Sequence, residues 1–576
     1  MMIAEPYAIL TPAVRNILWI LTDMLLAAAI LLGIRFYLYM LQLSSYQFGG
    51  FFRFLERHRP YIVLHAALAV VWIAVWLLIP SPLPRIILTV AEGILLIRIF
   101  FPRKEKKKFV LTSRVGRLIA ILAILFILDF AGCLACRDFD LPAGWALWSA
   151  SLPIAPAFLP LAVALANLLA QPIEKSVRQW YIDDAVRMLR EHPGLRIIGI
   201  TGSFGKTSVK HYLTTMLSEQ YAVLMTPGSY NTPMGVVRTI REQLKPTHEI
   251  FVCEMGARHV GDIKEICDIV HPHDGILTAI GDQHLETFHT RENIIRTKYE
   301  LLDAVEAASK EENPSVARAA GRAVTADPRY LKIVNGDDEI IAANRKYPEA
   351  VTYGLKEGNT YRGEILSVGV SGTTFRVTMP ALRGSGTGTA EFTIPLVGAH
   401  NVVNAIGAIA VAHMLGVPEG KLKMAARRLQ TAAHRLEIKK TPYGAILDDA
   451  YNSNPAGAGA ALETMAAIAR SEAGTDASGR EMLKILITPG MVELGEKQAE
   501  YNAAFGARAA GICDRIYTVG RTNSDAIREG ALRAGFPEDR IRECATLTEA
   551  MTLMNGVEPG RRRVLLLEND LTDDYA

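Results

Sequence analysis

Long apolar runs dominate the first 170 residues, and shorter apolar segments separated by polar ones follow them. The runs lie at residues 17–40, 61–79, 85–100, 118–135 and 145–170. A helix needs about 20 mostly apolar residues to cross the hydrocarbon core of a bilayer. The third run is short and carries Glu92, and the fifth contains three prolines. The pattern predicts a transmembrane region of about five helices over residues 1–170.

The basic residues of this region predict its orientation. They lie between the first and second runs, between the third and fourth, and after the fifth, at Arg53, Arg57, Arg59, 103–117, Lys175 and Arg178. Basic loops stay on the cytoplasmic side of a membrane. All three segments fall on that side if the N-terminus is outside and five helices cross. The chain is therefore expected to be a multi-pass protein of the cell membrane, with its later half in the cytoplasm.

Residues 171–195 change to an amphipathic pattern. Apolar residues recur there at near-helical spacing with charges between them, and a His-Pro-Gly sequence at 192–194 ends the pattern. This predicts a separate connecting helix at the membrane surface.

From residue 196 onward, strand-like and helix-like segments alternate, which is typical of α/β domains. We expect a P-loop ATPase-like domain at 196–435, on a mostly parallel sheet with a β-rich insertion at 351–394. A Rossmann-like domain is expected at 436–576, with strands at 445–447, 484–488, 515–519 and 564–567. The glycine of Tyr443-Gly444 predicts a hinge between the two domains. No Gly-x-Gly-x-x-Gly loop opens the second, so NAD is not expected.

A phosphate-binding loop is predicted where the first apolar strand ends. Residues 196–200 form a short apolar run, followed by Thr-Gly-Ser-Phe-Gly-Lys-Thr-Ser at 201–208 and a helical pattern from Val209. Loop amides and the positive end of a helix attract phosphate oxygens. Lys206 is expected to reach the β- and γ-phosphates, and the Thr207 hydroxyl to bind Mg²⁺. The two glycines are three residues apart rather than five, so the loop is a shortened form of the common motif.

Charge and cysteine content exclude some classes of protein. A net charge of +3 over 576 residues gives no reason to expect a nucleic-acid partner. The six cysteines are scattered, which does not suggest a disulfide framework or a structural zinc site.

Several further motifs occur in a fixed order with the phosphate loop. They are Tyr-Asn-Thr-Pro-Met-Gly at 230, Glu-Met-Gly-Ala at 254, His-Leu-Glu at 284, Lys-Tyr-Glu at 298, Gly-Ala-His-Asn-Val-Val-Asn at 398, His-Arg-Leu-Glu at 434, Asp-Asp-Ala-Tyr-Asn-Ser-Asn-Pro at 448 and Gly-Met-Val-Glu-Leu-Gly at 490. With this ordered set, residues 197–510 resemble the Mur ligases, and within them the type that adds D-alanyl-D-alanine.

The resemblance implies a set of site residues. Lys206, His284 and Lys298 are implied to be catalytic, and Lys298 to carry a CO₂-derived carbamate. Two Mg²⁺ ions are implied to bind Thr207, Glu254, His284 and the modified Lys298. ATP is implied to contact Gly202, Ser203, Gly205, Lys206, Thr207, Ser208, Asn404, Arg435 and Asp449. Asn231 and Thr232 are implied to approach the acceptor substrate.

The implied activity is an ATP-dependent ligase that joins a carboxylate to an amine through an acyl phosphate, in peptidoglycan or surface-polymer synthesis. Its partners would be a soluble or lipid-linked muropeptide-like acceptor and an amino acid or dipeptide. Alternatives are a ligase for a non-wall poly-amino-acid or capsule polymer, and a non-catalytic ATP-gated membrane component.

Three departures from the family change these expectations. The apolar region stands where the family has its UDP-binding domain, so the acceptor is hypothesised to be lipid-linked. Glu568-Asn569-Asp570 stands where the family usually has Lys-Gly-Ser. The acidic residues of this sequence suit an incoming amine better than a carboxylate. Asn502 stands where a histidine is common.

Overall fold

The structure is a computed structural model. It describes residues 12–79, 82–101, 108–135, 151–311, 330–369, 372–381, 386–430, 436–450, 453–470 and 480–569. Internal contacts divide the chain into two compact units, residues 1–179 and 180–571, which are described separately below.

The first unit is built from α-helices. They are α1 (Pro12–Leu43), α2 (Phe48–Arg57), α3 (Arg59–Leu78), α4 (Pro82–Phe100), α5 (Ser113–Ala135) and the beginning of α6 (Ala155–Arg190). Among the described residues, four of these helices are long and apolar enough to cross a membrane, namely α1, α3, α5 and α6. Their mostly apolar surfaces suit a lipid environment, in which every backbone polar group must be satisfied inside the helix.

Five membrane-crossing helices were predicted, and α4 is the one that is not among these four. It contains Arg85, Glu92 and Arg98 within 19 residues, so its composition is less apolar than that of the other four. It nevertheless packs against α1 and α3, and Glu92 is buried. Trp72 of α3 donates a hydrogen bond to the Thr89 hydroxyl of α4 (3.2 Å).

The prediction of a separate connecting helix at 171–195 is wrong. Helix α6 runs without a break from the apolar segment through Pro172 to Arg190. The ring of Pro172 removes one backbone donor from the helix. The Ser176 hydroxyl donates to the Pro172 carbonyl oxygen (3.1 Å). The last predicted apolar run, residues 145–170, lies partly outside the described residues, and its described part includes the beginning of α6 at Ala155.

A nine-stranded sheet forms the first half of the second unit. Its strands are β1 (Arg196–Thr201), β2 (Val223–Met225), β3 (Ile250–Glu254), β4 (Asp274–Leu277), β5 (Lys332–Asn335), β6 (Val351–Gly354), β7 (Tyr361–Gly369), β8 (Gly372–Pro380) and β9 (Thr387–Ile394). Their order is β2-β3-β1-β4-β5-β6-β7-β8-β9. Strands β2 to β7 pair in parallel, and β8 and β9 are antiparallel. The β-rich segment predicted at 351–394 is present as β6–β9, and these strands extend the same sheet.

Helices cover both faces of this sheet. They are α7 (Lys206–Leu217), α8 (Pro233–Gln243), α9 (Asp262–Val270), α10 (Leu285–Phe288), α11 (Arg291–Glu311), α12 (Glu339–Ala343), α13 (Ala399–Met414) and α14 (Glu419–Ala426). Two cores result, one on each face. Buried strands with near-continuous apolar sequence, such as Ile250–Glu254, are typical of a parallel sheet covered on both sides.

A six-stranded sheet forms the second half. Its strands are β10 (Glu437–Thr441), β11 (Gly444–Asp449), β12 (Leu483–Thr488), β13 (Arg515–Val519), β14 (Ile541–Cys544) and β15 (Arg563–Glu568), in the order β10-β11-β15-β12-β13-β14. Helices α15 (Pro455–Arg470), α16 (Gln498–Ala510), α17 (Ser524–Arg533) and α18 (Leu547–Asn555) flank it, with 3₁₀ turns at Gly495–Lys497 and Glu538–Arg540.

The hinge predicted at Tyr443-Gly444 is wrong. Strands β10 and β11 pair antiparallel from Glu437 with Asp448 to Thr441 with Gly444, so these residues form the turn of a hairpin. The glycine has φ 134°, and a Cβ there would lie 2.0 Å from the Arg563 carbonyl oxygen. It serves close strand packing rather than movement between domains. The chain passes from the first sheet domain to the second through 431–435, outside the described residues.

Candidate phosphate and metal site

The loop between β1 and α7 has the geometry of a phosphate cradle. Gly202 and Gly205 adopt φ values of 150° and 83°, where other residues are strained. A Cβ on Gly202 would lie 2.2 Å from the Thr278 hydroxyl oxygen, so only glycine lets the loop approach β4. The loop is tied there by Ser203, whose backbone N–H donates to the Ala279 carbonyl oxygen (2.7 Å). The predicted strand–loop–helix arrangement is confirmed.

Lys206 is the first residue of α7 and covers this loop. Its ammonium donates to the carbonyl oxygens of Gly202 (2.7 Å) and Ser203 (3.1 Å). These are carbonyls of the loop itself, so a phosphate that enters has a cation already poised beside it. Lys206 also lies close enough to Glu254 and Lys298 to affect the pKa of each.

Glu254 lies at the end of β3, which pairs with β1, and is 1% exposed. Its Oε1 accepts hydrogen bonds from the Thr207 hydroxyl (3.1 Å) and the Asn231 side-chain amide (3.1 Å). Burial alone would raise the pKa of Glu254, but the charges of Lys210 and Lys206 outweigh it and the pKa is lowered. The side chain is therefore an anion held at the edge where ligands bind in open α/β sheets.

Lys210 completes this cluster and was missed in the sequence. Its side chain is 0% exposed, its Nζ lies 2.9 Å from Glu254 Oε2, and it donates to the Gly228 carbonyl oxygen (2.7 Å). The Glu254 contact is close but not aligned as a hydrogen bond, since Oε2 has no donor with good geometry among the described residues. The available signal was the spacing of four residues from Lys206, which puts both cations on one side of α7.

His284 is positioned by a residue of the other sheet domain. Its Nδ1 is hydrogen-bonded to the Glu493 carboxylate, which follows β12. Burial lowers the pKa of His284, and Glu493 offsets this only in part, so the ring is neutral near pH 7. A neutral ring that donates Nδ1–H keeps the Nε2 lone pair for a metal ion, which is how carboxylates orient histidine ligands. The sequence analysis identified Glu493 only as part of the Gly-Met-Val-Glu-Leu-Gly motif and gave it no role at the site.

Asn502 fixes a loop of the second sheet domain, and its neighbour Tyr501 contacts the first sheet domain. The Asn502 side chain accepts from the Met491 N–H (2.9 Å) and donates to the Met491 carbonyl oxygen (2.9 Å), which fixes the loop that carries Glu493. Tyr501 donates to Asp282 of the first domain. The amide of Asn502 thus supplies both a donor and an acceptor to one backbone residue.

A cleft of about 180 Å³ opens between the phosphate loop and the second domain. It is lined by Ser203, Phe204, Gly281, Asp282, Gln283, Arg291, Ile340, Asn454, Pro455 and Tyr501. Arg291 and Asp282 form a two-pronged ion pair at its edge (2.8 and 2.5 Å). Both domains therefore contribute to one concave surface beside the phosphate cradle.

Lys298 lies on α11 with its side chain buried. Burial, and next the charge of Lys206, lower the pKa of Lys298 from 10.5 to about 7. Its charge in turn contributes to the lowered pKa of His284, so the two residues lie within electrostatic range of each other. Lys298 is therefore neutral at pH 7 far more often than an ordinary lysine, which is almost entirely charged.

The remaining predicted residues are distributed around the loop. Asn404 lies beside it, with Oδ1 2.9 Å from a Cβ built on Gly205. Thr232 caps α8 by accepting the Gly235 N–H (3.3 Å). Asp449 accepts the Leu436 N–H at the end of β11 (2.9 Å). Ser208 is on the first turn of α7. Arg435 lies outside the described residues.

The donor set suits Mg²⁺, which prefers oxygen ligands and few protein contacts. The Thr207 hydroxyl and the ionised Glu254 carboxylate already touch, and the donors on Glu254 Oε1 are neutral groups that a metal ion can displace. No cluster of three or more His, Cys, Asp or Glu side chains occurs in the part of the chain that the structure describes. Substrate phosphate oxygens and water would have to complete the coordination.

Two family profiles match the part of the chain that carries this site. Residues 200–412 match the Mur ligase middle domain, and residues 434–567 match the Mur ligase, glutamate ligase domain. The chain belongs to the Mur ligase family. Mur ligases are ATP-dependent acid–amino-acid ligases, which agrees with the phosphate cradle and with the contact between Thr207 and ionised Glu254 described above.

Relatives and solved structures of the same type resemble this Mur ligase. It is 29% identical over 367 residues to the UDP-N-acetylmuramoyl-tripeptide–D-alanyl-D-alanine ligase of Bacillus subtilis, covering 63% of this chain and 70% of that one. It is 30% identical over 349 residues to the Mycobacterium bovis enzyme of the same name, and the match covers 59% of this chain and 62% of that one. MurF of Acinetobacter baumannii superposes with a TM-score of 0.56 at 25% identity, and the match covers 68% of this chain and 77% of that one. The chain thus spans between 62% and 70% of the length of these two curated relatives.

Proposed function

We propose that this Mur ligase forms an amide bond between a muramoyl-peptide carboxylate and an amine in peptidoglycan synthesis. The observation that carries the proposal is the contact of Thr207 with ionised Glu254 opposite the Lys206 loop. In the first step a carboxylate oxygen of the acceptor attacks the γ-phosphorus of ATP and ADP leaves. In the second step the amine attacks the acyl phosphate, and amide, phosphate and a proton are released.

The residues divide the work by charge. Lys206 neutralises the phosphoryl oxygens, and fixed positive charge is the main source of catalysis in phosphoryl transfer. Thr207 and Glu254 would hold a Mg²⁺ ion, which would supply further positive charge to the same oxygens. Asn231, which donates to Glu254, is proposed to contact the acceptor. Glu493 of the second sheet domain orients His284 of the first, which would ligate a metal ion through Nε2. Domains that close around a ligand commonly sequester a reaction from water.

The acceptor that we propose is lipid-linked. The match to the family begins at residue 200, and helices long and apolar enough to span a membrane precede it. We further propose that α4 crosses as well, because Glu92 is buried and the helix packs against α1 and α3. Five crossings give the multi-pass topology with the catalytic part in the cytoplasm, where ATP is available.

Full-length enzyme in detergent, incubated with ATP and Mg²⁺, tests this function. We expect phosphate release only when a muropeptide carboxylate and an amine are both present, and an amide product by mass spectrometry. Lipid-linked and soluble UDP-linked acceptors are supplied in parallel. ATP hydrolysis that ignores both substrates would refute the ligase, while transfer to the soluble acceptor alone would refute the lipid-linked one.

Carbamylation of Lys298 is proposed as the source of a second anionic metal ligand. Only a neutral amine reacts with CO₂, and a pKa of about 7 supplies that form at physiological pH. At a fixed dissolved CO₂ concentration, we expect the modified fraction to increase as the pH rises from 6 to 8. Trapping with an alkylating oxonium reagent followed by peptide mass spectrometry measures it. The exposed Lys310 on the same helix is the internal control, and equal labelling of both lysines would contradict the prediction.

A further inference from the structure

The two oxygens of the Glu254 carboxylate have different surroundings. Oε1 accepts hydrogen bonds from the side chains of Thr207 and Asn231, which are both partly exposed. Oε2 is buried, and the Lys210 ammonium lies 2.9 Å from it. One oxygen therefore lies beside partly exposed groups of the site, whereas the other faces a buried cation.

Lys210 is held firmly in this position. It lies three residues after Thr207 on α7, so the two side chains project from the same side of the helix and reach one carboxylate. Its side chain is 0% exposed, and its ammonium also donates to the Gly228 carbonyl oxygen (2.7 Å). The backbone of Glu254 is fixed as well, because its N–H donates to the Thr226 hydroxyl (3.1 Å). Neither partner of the ion pair can easily move away from the other.

This contact restricts how the Glu254 carboxylate can bind a cation. The last torsion of a glutamate side chain is soft, so an unrestrained carboxylate can turn one or both of its oxygens toward a metal ion. Turning Oε2 toward a metal ion here would take it from the Lys210 ammonium and leave a buried cation without its anionic partner, which is costly. The carboxylate is therefore restricted to binding through Oε1 alone.

Binding through one oxygen suits small divalent cations better than large ones. Mg²⁺ is octahedral, with ligands at about 2.0–2.1 Å, and usually keeps several waters, so one carboxylate oxygen is sufficient. Ca²⁺ takes about six to eight oxygen ligands at about 2.3–2.6 Å, and carboxylates often supply two of them. A carboxylate that offers a single oxygen thus deprives Ca²⁺ of a ligand that Mg²⁺ does not need.

We propose that Lys210 is a positioning residue that makes the metal site select Mg²⁺ over larger divalent cations, by keeping Glu254 Oε2 away from the metal ion. The proposal rests on the ligase function above, because it takes Thr207 and Glu254 as metal ligands. Lys210 acts through Glu254 and is not itself a ligand. Without its ammonium, both oxygens of Glu254 would be available to a large cation.

Calorimetric titration of the full-length enzyme with ADP, in either Mg²⁺ or Ca²⁺, measures this selectivity without turnover. ADP supplies phosphate oxygens to the metal ion, and the readout is the ratio of the Kd in Ca²⁺ to the Kd in Mg²⁺. We expect a ratio of at least about ten for the unaltered enzyme, as is typical of a residue that orients a metal ligand. Equal Kd values in the two ions would overturn the proposal before any variant is made.

Lys210→Met removes the ammonium and keeps a long unbranched side chain. The ratio is expected to fall to about two or less, chiefly because ADP binds more tightly in Ca²⁺. A purely electrostatic role would strengthen binding in both ions alike, and a purely structural role would weaken both. An unchanged ratio, whichever way the two Kd values move, would overturn the proposal.

Two further variants and the temperature complete the design. Lys210→Gln, which keeps a donor but no charge, should lower the ratio in the same direction. Lys264→Met is the matched control on the exposed surface of α9 and should keep the ratio of the unaltered enzyme. Titration at about 10 °C, near the usual temperature of maximum stability, favours the folded state of the less stable variants.

ADP binding itself separates this proposal from the ligase function. Metal-dependent binding of ADP to the unaltered enzyme supports the phosphate and metal site. Its absence in both ions would overturn that site and the ligase function with it. A preference for Mg²⁺ that persists in Lys210→Met and Lys210→Gln would overturn the role of Lys210 alone.

Discussion

Ligation by the Lys206→Ala enzyme is expected to be reduced about 10³-fold or more. The ammonium of Lys206 is the cation nearest to the loop carbonyls of Gly202 and Ser203, where the phosphates would lie. Fixed cations that stabilise a transferring phosphoryl group contribute about 10³ to 10⁵ in rate. The measurement is product formation by mass spectrometry, together with exchange of labelled ADP into ATP.

The control for this variant is Lys245→Ala, which removes an exposed lysine from the same domain. It should retain the activity of the unaltered enzyme within about twofold, as surface substitutions usually do. Lys206→Arg tests the geometry, because a planar guanidinium does not replace a compact ammonium in a tight loop. If the alanine variant kept full activity, the loop would not hold the reacting phosphates.

Lys210→Met is expected to lower the stability of the first sheet domain strongly. The substitution leaves Glu254 buried without its closest cation and the Gly228 carbonyl oxygen without its donor. Removing one partner of a buried ion pair costs about 3–5 kcal/mol. For a domain of this size each kcal/mol shifts Tm by about 2–4 °C, so a decrease of roughly 6–20 °C is expected by thermal unfolding.

A double-mutant cycle identifies the cause of this loss. Glu254→Gln removes the stranded charge, so Lys210→Met combined with it should be more stable than the sum of the single changes predicts. Lys264→Met, which breaks an exposed pair with Asp268 on α9, is the matched control and should change stability by less than about 1 kcal/mol. Strict additivity of the Lys210 and Glu254 changes would show that the pair does not couple.

The local chemistry of the site could be predicted from the sequence, but its cross-domain contacts could not. Apolar runs followed by glycine, lysine or glutamate located the phosphate loop and Glu254 at strand ends, because period and turn chemistry are local properties. Lys210 was missed because a helical lysine looks solvated unless the carboxylate it meets is known. Glu493 was missed as a partner of His284 because no sequence pattern reports which residues face each other across two domains.

The errors in the fold have similar physical origins. The change to an amphipathic pattern at residue 171 suggested that a new helix begins there, yet the helix continues through Pro172, because a single lost backbone donor does not end a helix when the flanking residues continue it. The glycine of β11 suggested a hinge, but it permits close approach to Arg563. The composition of residues 351–394 predicts a β-rich insertion. It does not show that β6–β9 pair with the preceding sheet, because that pairing depends on register.

The contact between Glu493 and His284 has a consequence for inhibition. Because Glu493 of one sheet domain orients His284, the proposed metal ligand of the other, the proposed reaction centre is complete only while the two domains are in contact. A small molecule bound between β12 and α10 would inhibit the enzyme by separating Glu493 from His284, without resembling either the nucleotide or the peptide. Such a compound would leave the ATP sites of unrelated enzymes untouched.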